Sequence, residues 1–151
     1  MVFTATFNDG INRKLCVAPM MDWTDRHCRF FHRLLAPSAL LFTEMVTADA
    51  ICYAENPSRF LSHSEDEHPL VLQVGGSDPK KLFRAIKLAN KFGFCEFNLN
   101  VGCPSNRVQS GGFGACLMEE PDIVRECLMA MKEATDKPIS VKCRIGVDDM
   151  D

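Results

Sequence analysis

Short apolar runs alternate along this chain with longer segments whose apolar residues recur at the helical period of about 3.6 residues. The runs near 15–18, 40–44, 70–74, 96–100 and 139–143 predict strands, and the segments near 24–35, 47–54, 79–92 and 121–135 predict helices. Strand and helix in alternation signal βαβ units and a parallel sheet. The helix starts have local causes. Asp78-Pro79 and Glu120-Pro121-Asp122 offer caps, early prolines and acidic first-turn residues, while Lys137-Pro138 closes the last helix. No repeat of fixed period, low-complexity tract or interdomain linker interrupts the pattern.

A parallel sheet covered on both faces needs strands that are apolar on both sides, yet three of these strands carry polar residues at alternate positions. Glu96, Asn98 and Asn100 share one face, opposite Phe97 and Leu99. Ser140 and Lys142 lie opposite Ile139, Val141 and Cys143, and Gln73 lies opposite Leu72 and Val74. With the apolar faces under helices, Gln73, Asn100 and Lys142 point into a shared interior near the carboxyl ends of their strands. A (β/α)8 barrel builds its active site there. The predicted fold is therefore α/β, the N-terminal part of a (β/α)8 TIM barrel with about strands one to five, the barrel incomplete. Two other readings stand beside it: polar groups that merely satisfy one another, and a doubly wound open sheet. For the latter, Ala18-Pro-Met-Met-Asp22 after the first strand lacks the Gly-x-Gly-x-x-Gly spacing of a dinucleotide crossover. Gly111-Gly-Phe-Gly114 has only part of that spacing and reads better as a loop in close approach to a ligand.

Composition narrows the classes. A chain of 151 residues with 46% hydrophobic and 25% charged residues is neither disordered nor fibrous. The N-terminus lacks a basic segment followed by an apolar run, and no stretch has the apolar length to cross a bilayer, so no membrane partner and a cytoplasmic location are expected. Eight cysteines without a Cys-x-x-Cys pair argue against a zinc site or disulfide scaffold; no metal is expected, and all but one read as reduced, buried thiols. The net charge of -3 does not advertise a nucleic-acid surface. Lys80, Arg84, Lys87 and Lys91, and likewise Arg26, Arg29 and Arg33 with His27 and His32, read as solvated helix faces in preference to phosphate-binding ones.

The exceptional thiol is Cys103. It falls between Gly102 and Pro104, where the pattern Glu96-Phe-Asn-Leu-Asn100 stops. A packing cysteine belongs inside a periodic apolar segment. This one sits in a loop, where chemistry is commonly carried.

Four stretches now bear on identity. Ala18-Pro-Met-Met-Asp-Trp-Thr-Asp25, Leu72-Gln-Val-Gly75, Asn98-Leu-Asn-Val-Gly-Cys-Pro-Ser105 and Val141-Lys-Cys-Arg-Ile-Gly146 resemble, in that order, the motifs of the tRNA-dihydrouridine synthases. The likeness covers almost the whole chain after about residue 14, and the form of the first and third stretches is most similar to the bacterial A-type subfamily. It implies an FMN enzyme that reduces the C5=C6 bond of particular uridines in the D-loop of tRNA, with NADPH recharging the flavin. By the same resemblance Cys103 is the proton donor, Pro19, Met20 and Met21 line the flavin, and Gln73 and Lys142 bond its ring system. Asn100 helps to seat the target uridine, and Arg107 meets its phosphate.

The chemistry is consistent with these roles. Hydride delivery to C6 leaves negative charge over C5, which an acid must quench; a cation beside the flavin N1/C2=O edge favours the reduced anion; and a base inside folded tRNA must flip out to be reached. Lys142 as a partner for Glu96, and Arg107 as a ligand of its own loop backbone, remain open as structural alternatives. A complete barrel needs about 250 residues, so residues 1–151 are expected to be the N-terminal portion of an FMN-binding catalytic domain. The C-terminal barrel half and a basic helical tRNA-binding domain are expected to be absent. The full-length protein is then a monomer, and the isolated fragment self-associates. Other functions that the pattern allows are another FMN-dependent pyrimidine reductase and a non-catalytic barrel fragment.

Overall fold

The computed structural model describes residues 10–105, 108 and 111–147. Its strands are β1 (Cys16–Val17), β2 (Leu40–Phe42), β3 (Val46–Thr47), β4 (Leu70–Gly75), β5 (Glu96–Asn100) and β6 (Ile139–Lys142). Its helices are α1 (Arg26–Leu35), α2 (Ala48–Tyr53), α3 (Ser58–Leu61), α4 (Pro79–Ala89) and α5 (Pro121–Ala134). Every predicted strand and helix is present. All strand pairs are parallel, in the order β1-β2-β4-β5-β6, with β3 also on β4. This is the α/β arrangement of an incomplete TIM barrel.

The second predicted strand is split. Phe42 pairs with Val71 and Val46 with Val74, so three residues, Thr43 to Met45, stand opposite two, Leu72 and Gln73. The extra residue makes a bulge. Thr43 repairs the ladder there: its N–H donates to Val71 O at 2.9 Å, and its hydroxyl oxygen accepts the Gln73 N–H at 3.1 Å.

Capping side chains begin two of the three longest helices. Asp25 accepts from the N–H groups of His27 and Cys28 at 3.0 and 2.8 Å. Asp78 accepts from Lys80 and Lys81 at 2.8 and 3.2 Å, with Pro79 beginning the helix. α5 departs from expectation: Glu120 makes no side-chain cap bond, and the start rests on Pro121 and the first-turn Asp122.

One face of the sheet packs under the helices. Leu72, Val74, Phe97 and Leu99 are fully buried there with Leu82, Ile86 and Met131 of α4 and α5. Each such large side chain contributes about 1.5–3 kcal/mol by leaving water.

Two sequence expectations need correction. Arg29 and Arg33 are not solvated: Arg29 is 6% exposed and pairs with Glu67 at 2.6 Å, while Arg33 donates to Pro37 O and Ala39 O at 2.8 and 2.7 Å and to Glu67 O at 2.9 Å. They tie α1 to the approach to β4. Lys80, Arg84, Lys87 and Lys91 do face solvent. The thiols are also less buried than expected. Only Cys52 and Cys127 are fully inside, and Cys16 and Cys143 are exposed. Burial pushes the Cys127 thiol up to about 11. No helix among the described residues is long and apolar enough to cross a membrane.

Candidate active site on the concave face

The opposite face of the sheet is polar, and register explains how its side chains meet. Gln73, Asn98 and Ser140 are direct neighbours across β4, β5 and β6, and Asn100 is paired with Lys142 one step higher. Gln73 Nε2 donates to Asn98 Oδ1 at 2.8 Å, and Asn98 Nδ2 donates to Ser140 Oγ at 2.9 Å. Ser140 Oγ in turn donates to the Glu96 carboxylate, which Arg13 grips at 2.8 and 3.2 Å. Above the row, Asn100 Nδ2 donates to Gln73 Oε1 at 3.0 Å. These residues are buried or half-buried, so their mutual satisfaction is required of them.

The top of this network is the cysteine loop. Asn100 Oδ1 accepts the backbone N–H groups of Gly102 and Cys103 at 3.2 and 2.9 Å. Arg144 Nε donates to Gly102 O at 2.6 Å, and the Ala115 N–H donates to Cys103 O at 3.0 Å. Gly114 (φ +77°) lets the chain pass: a Cβ there meets Cys103 O at 2.6 Å and Val108 Cγ1 at 2.3 Å. Cys103 Sγ lies 3.6 Å from Ser105 Oγ. The thiol is thus held by its backbone from three sides.

A cleft of about 800 Å³ includes Cys103 and Ser105 with Met21, Glu44, Met45 and Phe113. Its near wall is the turn after β1. Asp22 takes a left-handed conformation (φ 64°), tolerable for Asp, and donates its N–H to Glu44 Oε1 at 2.7 Å. A smaller concavity of about 310 Å³ on the sheet face is lined by Ala18, Pro19, Phe42, Asn98, Ser140 and Lys142, among others.

The structure therefore brings Gln73, Asn100 and Cys103 into one bonded group and sets Lys142 across from Asn100. Pro19 shares the sheet concavity with Lys142, and Met21 shares the upper cleft with Cys103. Met20, 43% exposed, lines neither. Arg107 lies outside the described residues. Glu96 binds Arg13 and Ser140 rather than Lys142, whose ammonium makes no hydrogen bond or ion pair to a described residue.

Sequence reasoning missed Arg13, which precedes the first predicted strand, Thr43 and Glu44, which end the second, and also Arg144, although it lies within a quoted motif. Among the described residues no group of three or more His, Cys, Asp or Glu side chains is placed to hold a metal.

The profile of the dihydrouridine synthase (Dus) family matches residues 16–151. A Vibrio parahaemolyticus protein named tRNA-dihydrouridine(20/20a) synthase is 59% identical over 138 residues, 91% of this chain and 42% of that protein. Proteins of the same name from Xanthomonas axonopodis pv. citri and Xanthomonas campestris pv. campestris are 62% identical over 138 residues and 59% over 147, covering 91% and 97% of this chain. The chain spans about 42% of the length of these curated relatives. A profile match from β1 to the last residue, on a sheet that carries its cysteine loop above a polar concave face, makes this chain a member of the dihydrouridine synthase family.

Proposed function

We propose that the chain is the N-terminal part of an enzyme that reduces the C5=C6 bond of specific tRNA uridines to dihydrouridine, with FMN as cofactor and NADPH as hydride donor. The observation that carries the reading is the bonded group Gln73–Asn100–Cys103 at the carboxyl ends of β4 and β5. Support from similarity comes from relatives named as tRNA-dihydrouridine(20/20a) synthases.

The concave face fits a flavin ring by its donor set. Ala18, Pro19 and Phe42 provide apolar surface and Lys142 provides a cation without a partner among the described residues, while Gln73, buried beside Asn98, keeps one amide hydrogen unspent after its bond to Asn98. Gln73 and Lys142 would hold the ring, with Pro19 and Met21 against it. Bound there, the flavin supplies hydride chemistry.

The rest belongs to side chains of this chain. Asn100 uses one Nδ2 hydrogen on Gln73 and both Oδ1 bonds on the loop backbone, which leaves one hydrogen for a uracil carbonyl. Cys103 gives its thiol proton to C5 as the new C6–H bond forms, and the resulting thiolate is reprotonated from solvent through the open cleft. The cleft admits a base only after it has left its stack.

The test is genetic. In a strain lacking the endogenous enzyme, the full-length protein carrying this segment restores dihydrouridine to tRNA, and its Cys103→Ala form lowers that yield by about 100-fold or more under limiting expression. Normal dihydrouridine with the alanine form, read by mass spectrometry of the tRNA, refutes the assignment.

A further inference from the structure

The polar chain on the concave face has a direction. The Glu96 carboxylate only accepts, so Ser140 must donate to it and accept from Asn98 Nδ2. Asn98 then offers its oxygen to Gln73, and Gln73 offers its oxygen to Asn100. Asn100 is left with its oxygen toward the Gly102 and Cys103 N–H groups, which only donate. Reversing any one amide puts hydrogen against hydrogen or oxygen against oxygen somewhere along the line. An acceptor at the base and donors at the top thus agree on a single arrangement. Arg13 grips the buried carboxylate and holds it in place.

We propose that Glu96 is a positioning residue for Cys103, acting through Ser140, Asn98, Gln73 and Asn100 to fix the loop that presents the thiol. Glu96, at the base of the line, is itself spent on Arg13 and Ser140. Its effect is to keep the Asn100 amide in the one orientation that anchors the Cys103 backbone and aims a hydrogen at the uracil. The proposal rests on the functional reading above.

Ser140→Ala tests it, because it cuts the line while leaving the Arg13–Glu96 pair intact. In the full-length protein, hydrogen exchange at the Gly102 and Cys103 amides should quicken by about tenfold, the equivalent of one buried hydrogen bond. Reoxidation of the reduced flavin by tRNA, measured per bound flavin, should slow by about the same factor. Glu96→Gln should act in the same direction, since its amide can present a donor to Ser140 and permit the reversed arrangement. Ser140→Thr, which keeps the hydroxyl, should restore both readouts. Unchanged exchange at the two amides, or faster exchange with wild-type reoxidation, overturns the proposal. A loss in Ser140→Thr equal to that in Ser140→Ala overturns it too. Cys103→Ala, run in parallel, separates the two claims: if it retains reoxidation by tRNA, the functional reading has failed and amide exchange alone decides the relay.

Discussion

At the scale of the residue, Lys142 carries the sharpest electrostatic claim. Its ammonium stands in register with Asn100, at the rim of the sheet concavity, and Glu96 is already satisfied by Arg13 and Ser140. A cation with no carboxylate to serve among the described residues is available to a ligand. Lys142→Met keeps the length of the side chain and removes the charge. We expect it to weaken flavin binding by about tenfold or more, the scale of one charge-assisted hydrogen bond, and to leave tRNA affinity nearly unchanged. Flavin titration followed by fluorescence, with tRNA binding by filter retention, measures both. Flavin affinity at the wild-type level assigns Lys142 a merely structural role.

At the scale of the element, the alternation of strand and helix, the inward side of β4, β5 and β6, and the cysteine loop were legible because local pattern decides them. Phe97 and Leu99 must lie under helices, which turns Glu96, Asn98 and Asn100 the other way. The bulge between β2 and β3 was not legible, since nothing in Phe42-Thr-Glu-Met-Val46 departs from a strand and the irregularity appears only against β4. Arg29 and Arg33 were misread for the same reason: helical spacing shows a basic face but not the Glu67 carboxylate and the carbonyls folded onto it. The segment that delivers Glu67 also carries a pair of histidines, one of them pH-sensitive. His63 and His68 approach through Nε2 atoms 2.9 Å apart, and Phe94 stacks on His63. Desolvation, and then the neighbouring His63, hold the His68 imidazole below its usual 6.5, with Lys137 acting in the same sense and Glu65 and Glu67 opposing. The unfolded chain therefore binds this proton more readily than the folded one. The contribution is complete above the usual value and is lost as pH falls from there toward the lowered folded value. Denaturation midpoints should drop between about pH 7 and 5, and His68→Gln should flatten that part of the profile. An identical slope in the variant assigns the effect elsewhere.

At the scale of the whole molecule, the parallel sheet divides labour between its faces. The convex side, under α4 and α5, stabilises; the concave side holds the polar line from Arg13 to the Cys103 loop. Both outer strands, β1 and β6, have a single neighbour among the described strands, and the chain spans about 42% of its relatives' length. The central claim, that this architecture places an acid at C5 of a tRNA uridine, is therefore a claim about the full-length protein. It is tested most directly in a single turnover. The Cys103→Ala protein is reduced with NADPH, mixed with dihydrouridine-free tRNA, and the flavin absorbance is followed. The account predicts normal reduction by NADPH and reoxidation by tRNA slowed by about 10²–10⁴, the usual worth of a general acid. Reoxidation at the wild-type rate, with stoichiometric dihydrouridine in the product, would contradict it.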